Sequence, residues 1–318
     1  MSISSFLKLV EIQTKVASMI PFFIGTMFAL YRYDSFNIEN FIIMLISLLS
    51  FDMATTAINN YYDYKKATRT QDDSYRKTNV IGRDNLKENT VVGVIITLVL
   101  IAIVFGTILT LKTDVVVLLI GAVSFATGIL YTFGPIPLSR MPLGEIFSGF
   151  FMGFIILFLS IYIHIFDSNI IVLGFQGGRL SLSVDIVELA YIFLISIPAV
   201  GGIANIMLAN NTCDLEEDIV NKRYTLPYYI GRKAALSLFK GLYYIGYLAI
   251  IAMAILRIAP IAVLLVLLTI IPVKKHIDMF YAKQVKSETF VLGVKNFLIM
   301  NGALLIVMVV VNLISIAF

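Results

Sequence analysis

Two short runs of carboxylates and amides carry the chemistry of this chain. The first is Asp52-Met-Ala-Thr-Thr56-Ala-Ile-Asn59-Asn60-Tyr-Tyr-Asp63. Asp52, Thr56, Asn59 and Asp63 are spaced 4, 3 and 4, which places them on one helical face. The second is Asn210-Asn211-Thr-Cys-Asp214-Leu-Glu216-Glu217-Asp218. Asn-Asn-x-x-Asp therefore occurs twice, at 59–63 and at 210–214. A solvated acidic loop accounts for the glutamates but not for paired asparagines opening both clusters. A bound divalent cation accounts for both. The chain has one cysteine, Cys213, and two histidines, His164 and His276, so the donors are hard oxygens. That set points to Mg²⁺ rather than zinc. Magnesium uses few carboxylates together with substrate phosphates, so two such clusters facing one cavity suit a bridged diphosphate. Lys65, Lys66 and Arg69 follow the first cluster, and Lys222, Arg223, Arg232 and Lys233 the second. Lys222 and Arg223, about one turn past Asp218, are the best placed to hold phosphate oxygens.

The elements that must position these groups are membrane helices. Of 318 residues, 59% are hydrophobic and 14% charged, and the mean hydropathy is +0.93. Soluble domains carry roughly 25% charged residues. That composition excludes a soluble globular fold, and the high hydrophobicity excludes disorder. Nine stretches reach the roughly 20 apolar residues that a spanning helix needs. They are 16–33, 40–60, 91–111, 115–132, 143–166, 187–210, 235–256, 258–274 and 297–317. No cleavable signal peptide is apparent, since the first apolar run follows Lys8, Glu11 and Lys15 without a small-residue cleavage site. With nine spans, all Lys and Arg but Arg32, Lys112, Arg179 and Arg257 fall on one side. That side is cytoplasmic, which puts the N-terminus inside and the C-terminus outside. The expectation is an all-α, polytopic single domain over 1–318. It comprises two four-helix halves plus a ninth helix, with cytoplasmic cap loops at about 61–90 and 211–233. The outer segment 166–185 reads as a plain connector.

The motifs resemble those of the UbiA superfamily of intramembrane prenyltransferases. These enzymes carry N-D-x-x-D-x-x-x-D in loop 2–3 and D-x-x-x-D in loop 6–7. Here the first reads Asn59-Asn60-x-x-Asp63 and the second Asp214-x-x-x-Asp218, followed by Lys222-Arg223-Tyr224-Thr225-Leu226 and Gly231-Arg232. A third segment runs Tyr131-Thr132-Phe133-Gly134-Pro135-Ile136-Pro137-Leu138, then Leu143-Gly144-Glu145. It is similar to the "YTGGPxPL…LGE" segment of the 1,4-dihydroxy-2-naphthoate prenyltransferase branch. Three departures stand out. Asn60 replaces the first Asp, Ala67 falls where the last Asp would be with Asp72 and Asp73 further along, and Pro135 stands where some members have lysine.

The resemblance implies Mg²⁺-dependent transfer of a polyprenyl group from its diphosphate to 1,4-dihydroxy-2-naphthoate, with decarboxylation to demethylmenaquinone. It implies Asp63, Asp214 and Asp218 as catalytic metal ligands, helped by Asn59 and Asn60. It implies substrate contacts at Asn59, Asn60, Lys66, Tyr131, Arg140, Asn210, Asn211, Lys222 and Arg223. It places the chain in a bacterial plasma membrane, with lipid and no nucleic acid as partners. Acceptors such as 4-hydroxybenzoate, haem or a glycerol phosphate are the alternatives within the superfamily. A secondary transporter is the alternative outside it, which predicts acids near the bilayer midplane. Only Asp52 lies that deep. It is read equally as interhelical glue and as a functional group. Glu145 suits either a helix N-terminus or a substrate contact. Asn205 reads as glue, and His164 and His276 as surface or interface residues.

Overall fold

A computed structural model describes residues 1–69, 79–132 and 140–317. Asp72, Asp73 and Pro135 lie outside the described residues, as do the side chains of Lys66 and Ala67. The chain is mostly helical, and among the described residues seven helices are long and apolar enough to cross a membrane. The helices are α1 (Ile3–Leu9), α2 (Val16–Tyr33), α3 (Ile38–Arg69), α4 (Val80–Arg83), α5 (Glu88–Lys112) and α6 (Val115–Thr132). Then come α7 (Gly144–Ile165), α8 (Ile186–Cys213), α9 (Leu215–Val220), α10 (Leu226–Ile255), α11 (Ile270–Ala282) and α12 (Phe290–Ala317).

Seven of the expected spans have such helices. The stretch 115–132 forms the shorter apolar helix α6. The stretch 258–274 is divided, with a 3₁₀ segment at Ile261–Thr269 running into α11. Pro272 falls in the first turn of α11, where its missing N–H leaves no intrahelical bond unmade.

Two compact units divide the chain. The first comprises Met1–Met19 and Ile38–Thr132. Within it α3 packs along α5. Its core joins Leu9, Ala57, Val80, Ile81 and Val91, with Tyr61 and Tyr64 packed against them. Those two tyrosines explain why α3 runs on to Arg69 although apolar residues stop near 60. One face of the polar extension is still paid for by burial. Asp63 therefore sits on a helix, not in the cap loop expected at 61–90.

The second unit comprises Ile20–Asn37 and Phe133–Phe318. Most of α2 belongs here rather than with the other early helices. A Cβ on Gly25 would stand 2.6 Å from the Leu157 carbonyl oxygen, and Asn312 donates to the Met27 carbonyl at 2.9 Å. The central element is α8. Gly149 and Gly153 of α7 meet it so closely that a Cβ on Gly153 would lie 2.6 Å from the Val200 backbone. Small residues four apart let two membrane helices approach in this way. Gly149–Ile155 is wound as a π-helix inside α7.

The segment 166–185 is not a plain connector, so the chain is not purely helical. It contains an antiparallel hairpin, β1 (Ile171–Gln176) and β2 (Arg179–Val184). Gly177 and Gly178 take φ of +57° and +76° between the strands, the conformation of a tight two-residue hairpin turn.

Candidate active site

In the first unit the polar stripe of α3 is divided between two duties. Its lower half is an ion-pair anchor. The Lys15 ammonium donates to Asp52 Oδ1 at 2.7 Å, to the Asp52 carbonyl at 3.1 Å and to Thr56 Oγ1 at 2.6 Å. Ser18 Oγ donates to Asp52 Oδ2 at 2.5 Å. All three Lys15 donors are used, and both side chains are largely withdrawn from solvent. Asp52 is thus the glue of the two readings open to it. The cation that satisfies it comes from a position 37 residues upstream.

The upper half carries the motif. Asn59 is half-buried and Asp63 exposed, on the face continuous with Asp52 and Thr56. Asn60 turns toward the N-terminal segment, donating to the Leu9 carbonyl at 2.9 Å and to Glu11 Oε1 at 3.3 Å. Its own carbonyl accepts from Asn79 Nδ2 at 3.0 Å. Those bonds fix the end of α3 against the start of the chain. Lys65 pairs with Glu88 at 2.5 Å. Tyr131, near the end of α6, is half-buried in this unit.

In the second unit α8 stops at Cys213, with Asp214 at its C-terminal cap, and α9 carries Asp218. The two carboxylates are one turn apart, the Asp218 N–H donating to the Asp214 carbonyl at 2.7 Å. Both are buried. Asp214 is paired with Lys286. Asp218 lies 3.4 Å from Arg223 Nε and accepts from Thr225 Oγ1 at 3.4 Å. Burial pushes the Asp218 carboxyl above the usual range; Arg223 opposes that and the charge on Asp214 adds to it. Lys222 adopts a φ of +54° in the turn after α9 and is exposed. The Arg223 N–H returns to the Asp218 carbonyl at 2.8 Å, which closes that turn. The exposed Glu216 is tied to Arg232 at 2.5 Å.

The third motif reaches this cluster. Asn211 is buried and donates to Glu145 Oε1 at 2.8 Å. Glu145 Oε2 and Asn211 Oδ1 are buried and lack a hydrogen-bond partner among the described residues. The Arg140 carbonyl accepts from the Tyr224 N–H at 3.3 Å, and Asn210 is half-buried at the same end of α8. The second unit therefore gathers Arg140, Glu145, Asn210, Asn211, Asp214, Asp218 and Arg223 around one end of α8.

Sequence reasoning missed Lys286, which it counted only among the basic loop residues; Thr225 was quoted in the stretch after the second motif but given no role. Lys286 has no local signal, because it is known only by what the fold brings to it. Asn205 donates to the Phe239 carbonyl at 2.9 Å, tying α8 to α10. His164 is buried rather than at the surface, its Nδ1 accepting from the Asn37 N–H at 3.0 Å. His276 Nδ1 lies 2.7 Å from Asn296 Oδ1.

Among the described residues, no three His, Cys, Asp or Glu side chains are grouped closely enough to cage a metal. Two buried carboxylates one turn apart, beside Arg223 and Lys286, fit a cation that completes its shell with water and phosphate oxygens.

The model of the UbiA prenyltransferase family matches residues 18–314. A 1,4-dihydroxy-2-naphthoate octaprenyltransferase of Bacillus subtilis is 31% identical over 238 residues, 75% of this chain and 70% of that protein. Among solved structures, the apo form of a UbiA homolog from Aeropyrum pernix K1 superposes with a TM-score of 0.67. It has 16% identity, over 92% of this chain and 98% of that one. A UbiA homolog from Archaeoglobus fulgidus, bound to DMAPP and Mg²⁺, superposes with a TM-score of 0.60. It has 14% identity, over 96% of this chain and 99% of that one. The fold is thus shared with those structures.

Proposed function

The chain belongs to the UbiA prenyltransferase family, and on that premise we propose that it transfers a polyprenyl group from polyprenyl diphosphate to 1,4-dihydroxy-2-naphthoate, releasing CO₂ and diphosphate and giving demethylmenaquinone in its quinol form. The observation that carries this reading is the 31% identity to an enzyme named for that acceptor. The third motif, which distinguishes the naphthoate branch, adds to it: its Glu145 is bonded to Asn211, beside the second aspartate motif.

Asp214 and Asp218 in one unit, and Asp63 with Asn59 and Asn60 in the other, are the residues we assign to Mg²⁺. Bound Mg²⁺ supplies neutralisation of the charge that develops on the leaving diphosphate. Lys222 and Arg223, with Lys286 added from the fold, hold diphosphate oxygens. Lys66, Tyr131, Arg140, Asn210 and Asn211 complete the assigned substrate contacts. The allylic C–O bond breaks with its electron pair leaving on the diphosphate. The electron-rich ring then attacks the allylic carbon. Apolar helices keep water from the allylic cation.

The chain is a single polytopic domain with nine crossings, counting α6 and the Ile261–Ala282 segment. It lies in a bacterial plasma membrane with its N-terminus in the cytoplasm. Labelling tests that orientation once Cys213 is replaced by serine. Tyr75→Cys should react from the cytoplasmic side and Ser181→Cys from outside; the reverse pattern overturns it.

Purified protein in lipid tests the chemistry. With 1,4-dihydroxy-2-naphthoate, a polyprenyl diphosphate and Mg²⁺, it should release CO₂ and a prenylated naphthoquinol, and EDTA should stop it. Activity confined to 4-hydroxybenzoate would move the acceptor. Silence with every aromatic acceptor would overturn the proposal.

A further inference from the structure

The hairpin between α7 and α8 has an order that the proposed chemistry does not require. In an antiparallel pair, directly opposed residues share a face. The register pairs Ile171 with Val184, Leu173 with Leu182 and Phe175 with Leu180. Every member of that face is apolar. The alternate pairs are Val172 with Ser183, Gly174 with Ser181 and Gln176 with Arg179, so the opposite face carries Ser181, Ser183 and Arg179, with Val172 its one large apolar residue. Such segregation is the signature of a sheet that buries one face. Yet Phe175, Leu180 and Leu182 are 75%, 73% and 64% exposed within the chain. A lone two-stranded hairpin is marginal in water and needs something against its apolar side.

Three observations identify what covers it. The hairpin is clamped at its base, where the Asp185 N–H donates to the Ile170 carbonyl at 2.8 Å. From there β2 passes through Asp185 into α8 at Ile186, and the short segment 166–170 leads from α7 to β1. The apolar face also continues into the exposed start of α8, at Ile186 and Val187. Beside them lies an interfacial cluster. Glu188 is held by Arg32 at 2.5 Å and accepts from the Tyr33 hydroxyl at 2.7 Å, and the Arg32 guanidinium lies 4.7 Å from the Tyr191 ring centroid. Tyrosine and arginine at helix ends mark the boundary between bilayer and water.

We propose that this hairpin is a monotopic element lying in the bilayer interface, with its apolar face against lipid acyl chains. The depth is limited by the backbone. Both outer edges of a two-stranded sheet carry unpaired N–H and C=O groups, which cannot enter the hydrocarbon core. The sheet therefore lies shallow and flat. Arg179, beside the turn on the polar face, reaches the phosphate layer. A second copy of this chain is the poorer occupant. Two six-residue strands present a face of only about 200 Å², against roughly 800 Å² per partner in a stable interface.

The chain contains no tryptophan, so one introduced indole reports its own surroundings. Phe175→Trp and Leu180→Trp, each in the full chain reconstituted in dioleoylphosphatidylcholine vesicles, should emit at short wavelength. Their emission should fall when the lipid double bonds are brominated, and iodide should leave it unchanged. Ser183→Trp, on the polar face, should show the opposite pattern. Iodide quenching of positions 175 and 180 would place the face in water and overturn the proposal. Protection from both quenchers would overturn it in favour of a protein partner.

Discussion

Consider the Lys15–Asp52 pair under Lys15→Met, Asp52→Leu and the double substitution. Both partners lie in the first unit. The Lys15 side chain is 4% exposed and that of Asp52 14%. Lys15 and Ser18 donate to Asp52, and Lys15 to Thr56. Removing one partner strands a buried charge, which costs about 3–5 kcal/mol. Replacing the pair with apolar residues of similar volume is often neutral or better. A chain this long loses about 2 °C of melting temperature per kcal/mol. Each single variant should therefore melt about 6–10 °C lower, by the helical circular dichroism signal in detergent. The double variant should melt above both. The coupling should exceed about 2 kcal/mol, well beyond the 0.2–1 kcal/mol of exposed pairs. Additive losses, with coupling within about 0.5 kcal/mol, would refute the reasoning. Asp52 would then be a carboxylate kept for substrate, and its loss should appear in turnover instead of stability.

Asp214→Ala should lower turnover by at least about a hundredfold while the protein elutes and melts as a folded chain; near-normal turnover would remove Asp214 from the metal site. Glu145→Gln keeps an acceptor for Asn211 Nδ2 and brings a donor to the unpartnered Asn211 Oδ1, so its melting temperature should match or exceed the parent. Glu145→Leu strands Asn211 and should cost about 1–3 kcal/mol; equal melting of the two variants would show that the bond is idle. Gly153→Ala forces a Cβ into the Val200 backbone and should destabilise by about 1–3 kcal/mol. Gly121→Ala, where a Cβ meets nothing within 4 Å, should stabilise by up to about 1 kcal/mol; like effects at both glycines would refute the close approach of α7 to α8.

Much of this architecture was legible in the sequence, because lipid imposes one strong rule: a long apolar run becomes a helix. That rule locates seven long helices. It fails where something other than hydropathy decides. Residues 61–69 are polar, yet α3 continues through them because Tyr61 and Tyr64 pack against Leu9, Val80 and Val91. The 258–274 stretch is apolar enough, yet its first turns wind as 3₁₀. The hairpin was legible in principle, since 171–184 alternates apolar and polar around Gly177-Gly178. Reading the segment only for span length hid the alternation.

At the candidate site, local spacing and long-range assembly divide in the same way. Asp214 and Asp218 announce themselves by standing one turn apart. Their neutralising partners do not. Arg223 is close in sequence and was named, whereas Lys286 is 72 residues from Asp214 and looked like one more basic loop residue. The same holds for Lys15, whose value depends on a carboxylate 37 residues away. A buried carboxylate in a membrane chain demands a cation, so its existence is predictable from sequence while its address is not. Asp52 and Asp214 both meet that demand with a lysine supplied from outside their own helices. The difference between them is position. Lys15 is locked among three acceptors and nearly fully buried, whereas Lys286 is more than half exposed between α11 and α12. A solvated lysine can leave Asp214 when a cation or a diphosphate arrives, and a buried one cannot leave Asp52. That contrast separates the anchor from the proposed site.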